Sequence, residues 1–370
     1  MKTIYIWGGW SRNFGDLAIW EAQTKMMIEA SKEPLNLVMI NSDLSPDGLS
    51  APRIGAELIE EMNKNGHLLM IGAGGQLMPR TPDESVSGYQ VNISRLDIDR
   101  IKIPICVFGV GVNTFPKNEH VLTKEAIEHF TYLCKKSISV SVRDELSSRC
   151  LVSWGIKNHH RVSDPALFLD ASSVIDGLEL TTTNIGLNWA GDRIHSRYGG
   201  APVRSIIDYL CDQLIDVLEQ TNGWLFYFPH ISEYDLEDAS LFSQLIGSSR
   251  FINIADTLPG LFPERLWGVP YLTKCYSKMS IVLGTRWHSC VIPYGQGVPC
   301  VSYGATFKNK AASIEFPGTI QASLFDAGLA NSMINVLENR TYQKKEHQYR
   351  IVEERKQHTL AVLTNVMEQI

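Results

Sequence analysis

The 370-residue chain lacks the side-chain groupings that build metal sites or disulfide frameworks. Its cysteines, Cys106, Cys134, Cys150, Cys211, Cys275, Cys290 and Cys300, are odd in number and form no C-x-x-C pair. Most lie in apolar segments, as reduced core thiols do, so the expectation is a cytoplasmic protein without structural zinc. No His, Cys, Asp or Glu set has metal-ligand spacing, which predicts neither a metal nor another cofactor. No apolar run approaches the roughly 20 residues of a membrane-spanning helix. The opening "MKTIYIWGGW" breaks at glycines too early for a secretion signal. Positive charge is not in surplus either. A net charge of −6 gives no long-range attraction to nucleic acid, so any anion must be held locally. There is no G-x-S-x-G elbow for serine chemistry, no G-x-G-x-x-G and no Walker lysine.

What is present is a soluble composition, 44% hydrophobic and 20% charged, on a chain too long for one ordinary core. Short apolar runs alternate with helical patterns. "KTIYIW", "LNLVMI", "HLLMIGAGG", "IPICVFGVGV" and "ISVSVRD" read as strands, each followed by a turn and a helix. A polar stretch at 170–184 interrupts the series, which resumes at "IGLNWAG" and runs through "GWLFYFPH", "MSIVLG" and "VPCVSYG". This predicts an α/β fold of mostly parallel sheets, with two Rossmann-like domains facing a cleft. The expected divisions are 1–170, 185–340 and a C-terminal helix over 341–370. Ligands of such folds bind beyond the carboxyl ends of the strands.

Several residues collect at those ends. Asn13 and Asp16 lie where the first strand leads through "WGGWSRNFGD" into a helix whose free N–H groups suit a phosphate or a sugar hydroxyl. Gly74 and Gly75, in "IGAGGQLMPR", offer a backbone-lined shelf, and the irregular stretch 79–95 after them has the length of a binding loop. Arg143 closes a strand before a helix, and His230 ends "WLFYFPH". In "LGTRWHSCVIPYGQG", Arg286 and His288 stand where an apolar strand becomes a helix, a costly place for cations that have no partner. Lys308 and Lys310 follow the next strand and reach the same edge. Cations converging there predict a negatively charged small molecule.

The order and spacing of "NFGD", "GAGGQL", "SVRDELSSRCLVSWGI", "VSDPALFL" and "RWHSCVIPYGQGVPCVSY" resemble the polysaccharide pyruvyl transferase family, over roughly residues 1–315. The resemblance implies a GT-B arrangement of the two domains. It also implies transfer of pyruvate from phosphoenolpyruvate to a sugar as a cyclic ketal, with release of phosphate. The acceptor would be a nucleotide- or lipid-linked sugar, and a homo-oligomer stays open. The family's donor-site arginine, histidine and lysine map onto Arg143, His288 and Lys308, with Lys310 as the rival lysine. Arg286 is the arginine of the R-x-H pair. Gly74, Gly75, His230 and Tyr303 join Asn13 and Asp16 in the expected binding set. The alternatives are a glycosyltransferase of the same fold using a nucleotide sugar, and a catalytically silent sugar- or anion-binding protein.

Overall fold

The computed structural model describes residues 1–8, 13–40, 52–115, 122–171, 183–257, 268–339 and 342–370. Most of the polar stretch 170–184 therefore lies outside the described residues. Two parallel sheets carry the fold. The first contains β1 (Lys2–Trp7), β2 (Leu35–Ile40), β3 (Leu68–Ile71), β4 (Gly74–Leu77), β5 (Ile105–Val112), β6 (Ser139–Val142) and β7 (His160–Arg161). Its order is β2-β1-β3-β5-β6-β7, with β4 pairing on β5. The second contains β8 (Asn184–Asn188), β9 (Trp224–Tyr227), β10 (Phe251–Asn253), β11 (Ile281–Gly284), β12 (Cys300–Tyr303) and β13 (Ile320–Ala322), in the order β10-β9-β8-β11-β12-β13.

The two-residue period of a strand sorts the core. In the first sheet, Ile4, Ile6, Leu68, Met70, Cys106 and Phe108 lie on the face that joins the cluster common to both lobes, against the helix Phe14–Ala30, while Tyr5, Trp7, Leu69, Ile71 and Val107 lie on the other face in a cluster of the first lobe. In the second sheet, Phe226, Phe228 and Val282 face inward, while Leu225, Tyr227, Ile281, Leu283, Val301 and Tyr303 face outward. The inward sets meet in one continuous cluster, which the helices Phe14–Ala30, Gly268–Ser277, His288–Gly295 and Tyr342–Met367 complete. Strands covered on both faces in this way explain the near-unbroken apolar runs of β3, β5 and β11.

The glycine stretch after β3 differs from expectation. Rather than a loop, Gly74 and Gly75 open a strand of their own, paired with β5. Gly74 enters it at φ +112°, a conformation that side chains disfavour. The long helix Tyr342–Met367 packs on both lobes. Gln348 donates to the Tyr294 carbonyl at 2.6 Å and Arg355 pairs with Glu315 on the second lobe. Thr359 accepts from the Ser163 amide, and Glu368 pairs with Lys32 on the first. All seven cysteines are free and six are buried. Among the described residues, no helix is long and apolar enough to cross a membrane, and no three metal-binding side chains cluster.

Candidate active site

Each sheet has one point where its strand order reverses, between β1 and β3 in the first and between β8 and β11 in the second. Strand carboxyl ends at such points leave a crevice. Here both crevices open into one cavity of about 330 Å³ between the lobes. Asn13 and Asp16 come to its wall after β1, Gly75 and Gln76 from β4, Asp192 and Arg193 after β8, Arg286 after β11 and Lys308 after β12. A larger cavity of about 470 Å³ lies elsewhere, where the helix Leu329–Glu338 and the start of the C-terminal helix meet. It contains none of the expected site residues.

Arg143 and His288 stand behind that wall, gathered by a carboxylate the sequence reading passed over. Asp164 is fully buried. Its Oδ2 accepts from Arg143 Nη1 at 2.9 Å and from Trp287 Nε1 at 2.8 Å, and lies 3.4 Å from His288 Nε2. Its Oδ1 caps the 3-10 turn Pro165–Phe168 through the Ala166 amide. Burial would push this carboxyl up, but the neighbouring His288 and the guanidinium of Arg143 hold it well below the usual carboxylate range, although His288 Nε2 at 3.4 Å makes no hydrogen bond. The guanidinium also lies over the Trp287 ring, 4.6 Å from its centroid. Its Nε and Nη2 remain buried without a hydrogen-bond partner. Asp144 Oδ2 lies 3.7 Å from that Nε, so the guanidinium faces two buried carboxylates and Nη2 is its one end without a polar partner among the described residues.

Lys308 sits on the second lobe, in the first turn of the helix Phe307–Glu315, which a Thr306–Asn309 capping box begins. No carboxylate lies within ion-pair distance of it among the described residues. Burial, then the charges of Arg143 and Arg197, push its ammonium down to about 7, against the opposing pull of Asp16. Lys310, the alternative lysine, is exposed.

Glycines of the first lobe make room for these three side chains. A Cβ on Gly15 would overlap the His288 imidazole at Nδ1, and one on Gly111 would overlap the Arg143 guanidinium. One on Gly75 would meet Lys308 Nζ at 3.0 Å. Gly74 and Gly75 were expected to form a shelf for a ligand. In the structure Gly75 instead makes room for Lys308, as Gly15 does for His288 and Gly111 for Arg143.

Arg286 corrects a second expectation. It is not a spare cation but a held one. Its Nε and Nη2 grip Asp235 at 3.1 and 2.5 Å, and Nη2 reaches Asp192 at 2.6 Å. Burial opposes its charge, but the two carboxylates outweigh it and raise its pKa above the usual arginine value. Asp235 also accepts from the amides of Gly191, His230 and Ile231, which fixes three loops at once. The repulsion expected among converging cations is therefore offset largely from within, by Asp164, Asp192 and Asp235.

His230 is buried one layer back. Its Nε2 bonds the Tyr276 hydroxyl at 2.7 Å, and burial together with Arg286 holds it neutral, well below the ordinary histidine value. Its carbonyl accepts from the Phe14 amide at 2.8 Å, tying the lobes together. Asn13 lines the cavity while its Oδ1 caps the helix Phe14–Ala30 through the Gly15 amide. Gly74 is behind the wall, near Asp16. Tyr303 does not reach the cavity. The alternation of β12 turns it to the outer face, where it is fully buried among Leu283, Val301 and their neighbours with its hydroxyl unpartnered. The stretch 79–95 does contribute, through Arg80 and Gln90.

Residues 13–305 match the family model for polysaccharide pyruvyl transferase. The chain belongs to this family. A comparison with curated proteins finds no match. Among solved structures, UDP-GlcNAc 2-epimerase from Neisseria meningitidis, bound to UDP-GlcNAc, is similar at TM-score 0.56 and 13% identity, covering 98% of this chain and 99% of that one. The enzyme of the same name from Methanocaldococcus jannaschii, with UDP-GlcNAc and UDP, gives 0.55 at 14% identity, over 95% and 99%. S. aureus MnaA with UDP gives 0.57 at 14%, over 94% and 90%. At such identities the likeness is one of fold, a GT-B-like pair of α/β lobes.

Proposed function

We propose that this pyruvyl transferase uses phosphoenolpyruvate and forms a cyclic ketal across two hydroxyls of a sugar. The observation that carries the reading is the meeting of Arg143, His288 and Lys308 at the seam between the lobes, with Nη2 of Arg143 left without a partner and no acid paired to Lys308 among the described residues. A donor bearing a carboxylate and a phosphate needs such cations.

In this scheme Arg143 and Lys308 take the donor's acidic groups. A proton is added to C3, converting the methylene to a methyl and leaving C2 electron-poor. One sugar hydroxyl forms an O–C2 bond and gives up its proton. The C2–O bond to phosphate then breaks, and a second hydroxyl attacks C2 and loses its proton. The two hydroxyl protons balance the one gained by C3 and the one carried off by phosphate. His288 is the acid–base group, its Nε2 side steadied by Asp164; such a role is worth about 10²–10⁴ in rate. Orientation by fixed charges supplies more.

The test is phosphate release from phosphoenolpyruvate, screened against nucleotide- and lipid-linked sugars, with Arg143→Ala as control. Acceptor-stimulated release that the variant loses supports the reading. Conversion of a UDP-sugar with no dependence on phosphoenolpyruvate would replace it with glycosyl chemistry.

A further inference from the structure

Arg193 is the other cation in the cavity wall that lacks a carboxylate. Arg80, Arg193, Arg197, Arg286 and Lys308 face Asp16 and Asp192 across the space. Arg80 is matched by Glu84, Arg197 by Asp192, and Arg286 by Asp192 and Asp235. Arg193 has no acid within 4.0 Å among the described residues. Its contacts are poor substitutes for an anion: the thioether sulfur of Met78, and the Phe115 ring at 5.8 Å. Arg197 lies over the same ring at 5.7 Å, so one aromatic side chain bears two guanidinium groups. The Arg193 backbone is left-handed, φ 51°, an uncommon state for a residue with a side chain. These groups come from the loops after β4, β5 and β8, distinct from the β6, β11 and β12 ends that supply Arg143, His288 and Lys308.

We infer that Arg193 and Arg197, on the Phe115 platform with Arg80 beside them, form a second anion subsite that binds the phosphate or diphosphate of the sugar acceptor. The inference rests on the proposed function only in giving Arg143 and Lys308 to the donor. The guanidinium of Arg193, with those of Arg80 and of the Asp192-held Arg197 beside it, suits a diphosphate better than an uncharged glycan, and it would orient the sugar's hydroxyls toward the donor. A free polysaccharide without phosphate would leave Arg193 unmatched in the complex.

Calorimetric titration of the full chain with inorganic pyrophosphate, with and without saturating phosphoenolpyruvate, tests this. Pyrophosphate should bind in both conditions. Arg193→Gly, which suits the left-handed backbone and removes only the side chain, should weaken it by about tenfold or more. Arg193→Lys should recover part of the loss, and phosphoenolpyruvate affinity should stay within about twofold in both variants. Lys308→Ala should show the reverse pattern. UDP and farnesyl diphosphate, run in parallel, identify the carrier as whichever binds more tightly than pyrophosphate. Competition between pyrophosphate and phosphoenolpyruvate, an unchanged pyrophosphate affinity in Arg193→Gly, or no pyrophosphate binding at all would each overturn the inference. Pyrophosphate binding without phosphoenolpyruvate binding would sink the donor assignment and leave the subsite standing.

Discussion

The two lobes meet at the cleft with opposite means. The first lobe brings three glycines to the seam, Gly15 in the first turn of a helix, Gly75 in β4 and Gly111 in β5, and so clears space. The second fills two of those spaces with long side chains, His288 and Lys308, and Arg143 folds back over the third. Neither edge is a site alone. The lesson is that a glycine lining a cleft can be required by a neighbouring side chain as readily as by a ligand.

The comparison is broken most severely at Asp164, where both lobes share one carboxylate. Asp164→Asn should leave the buried Arg143 with only the more distant Asp144, 3.7 Å from its Nε, and lower stability by about 3 kcal/mol, read by denaturant unfolding. It should also abolish transfer. His288→Ala is next: kcat should fall by about 10²–10⁴ while phosphoenolpyruvate affinity, measured calorimetrically, stays nearly constant.

Gly15→Ala and Gly111→Ala should each cost about 1–3 kcal/mol, since a packed ring and a pinned guanidinium must give way. Gly75→Ala should cost less, because Lys308 can swing aside. Equal effects at all three would mean the seats are ordinary turns. For Lys308, a pKa near 7 below the usual 10.5 disfavours the charged form in the folded protein. That penalty is full below about pH 7 and fades as pH rises toward the unfolded value, so stability should rise over this range. Donor affinity should move the other way, falling as pH passes about 7, and Lys308→Arg should remove the inflection. A pH-independent donor affinity would detach Lys308 from the donor. The smallest effect belongs to Tyr303→Phe, which deletes an unpartnered buried hydroxyl. Stability should change by no more than about 1 kcal/mol and kcat/KM not at all.

The fold class was legible because strand, turn and helix repeat with clear periods, and buried parallel strands leave near-continuous apolar runs. R-W-H at 286–288 also stood out, since a cation between two apolar segments needs a partner. The identity of that partner was not readable. Asp164 lies 124 positions before His288, Asp235 sits within an ordinary helical pattern, and Asp192 opens a turn just after Trp189, Ala190 and Gly191. Pairing across such separations is decided by how the lobes dock. Tyr303 shows the complementary error. The family resemblance put it in the binding set, but a side chain's face depends on register, and a shift of one residue reverses it.

The helix Tyr342–Met367 carries a mechanical consequence. It is stitched to Tyr294 and Glu315 near its beginning and middle, and to Ser163 and Lys32 further along. It therefore ties the two lobes together along one side of the molecule, so a break in this helix should loosen the second lobe's hold on the first.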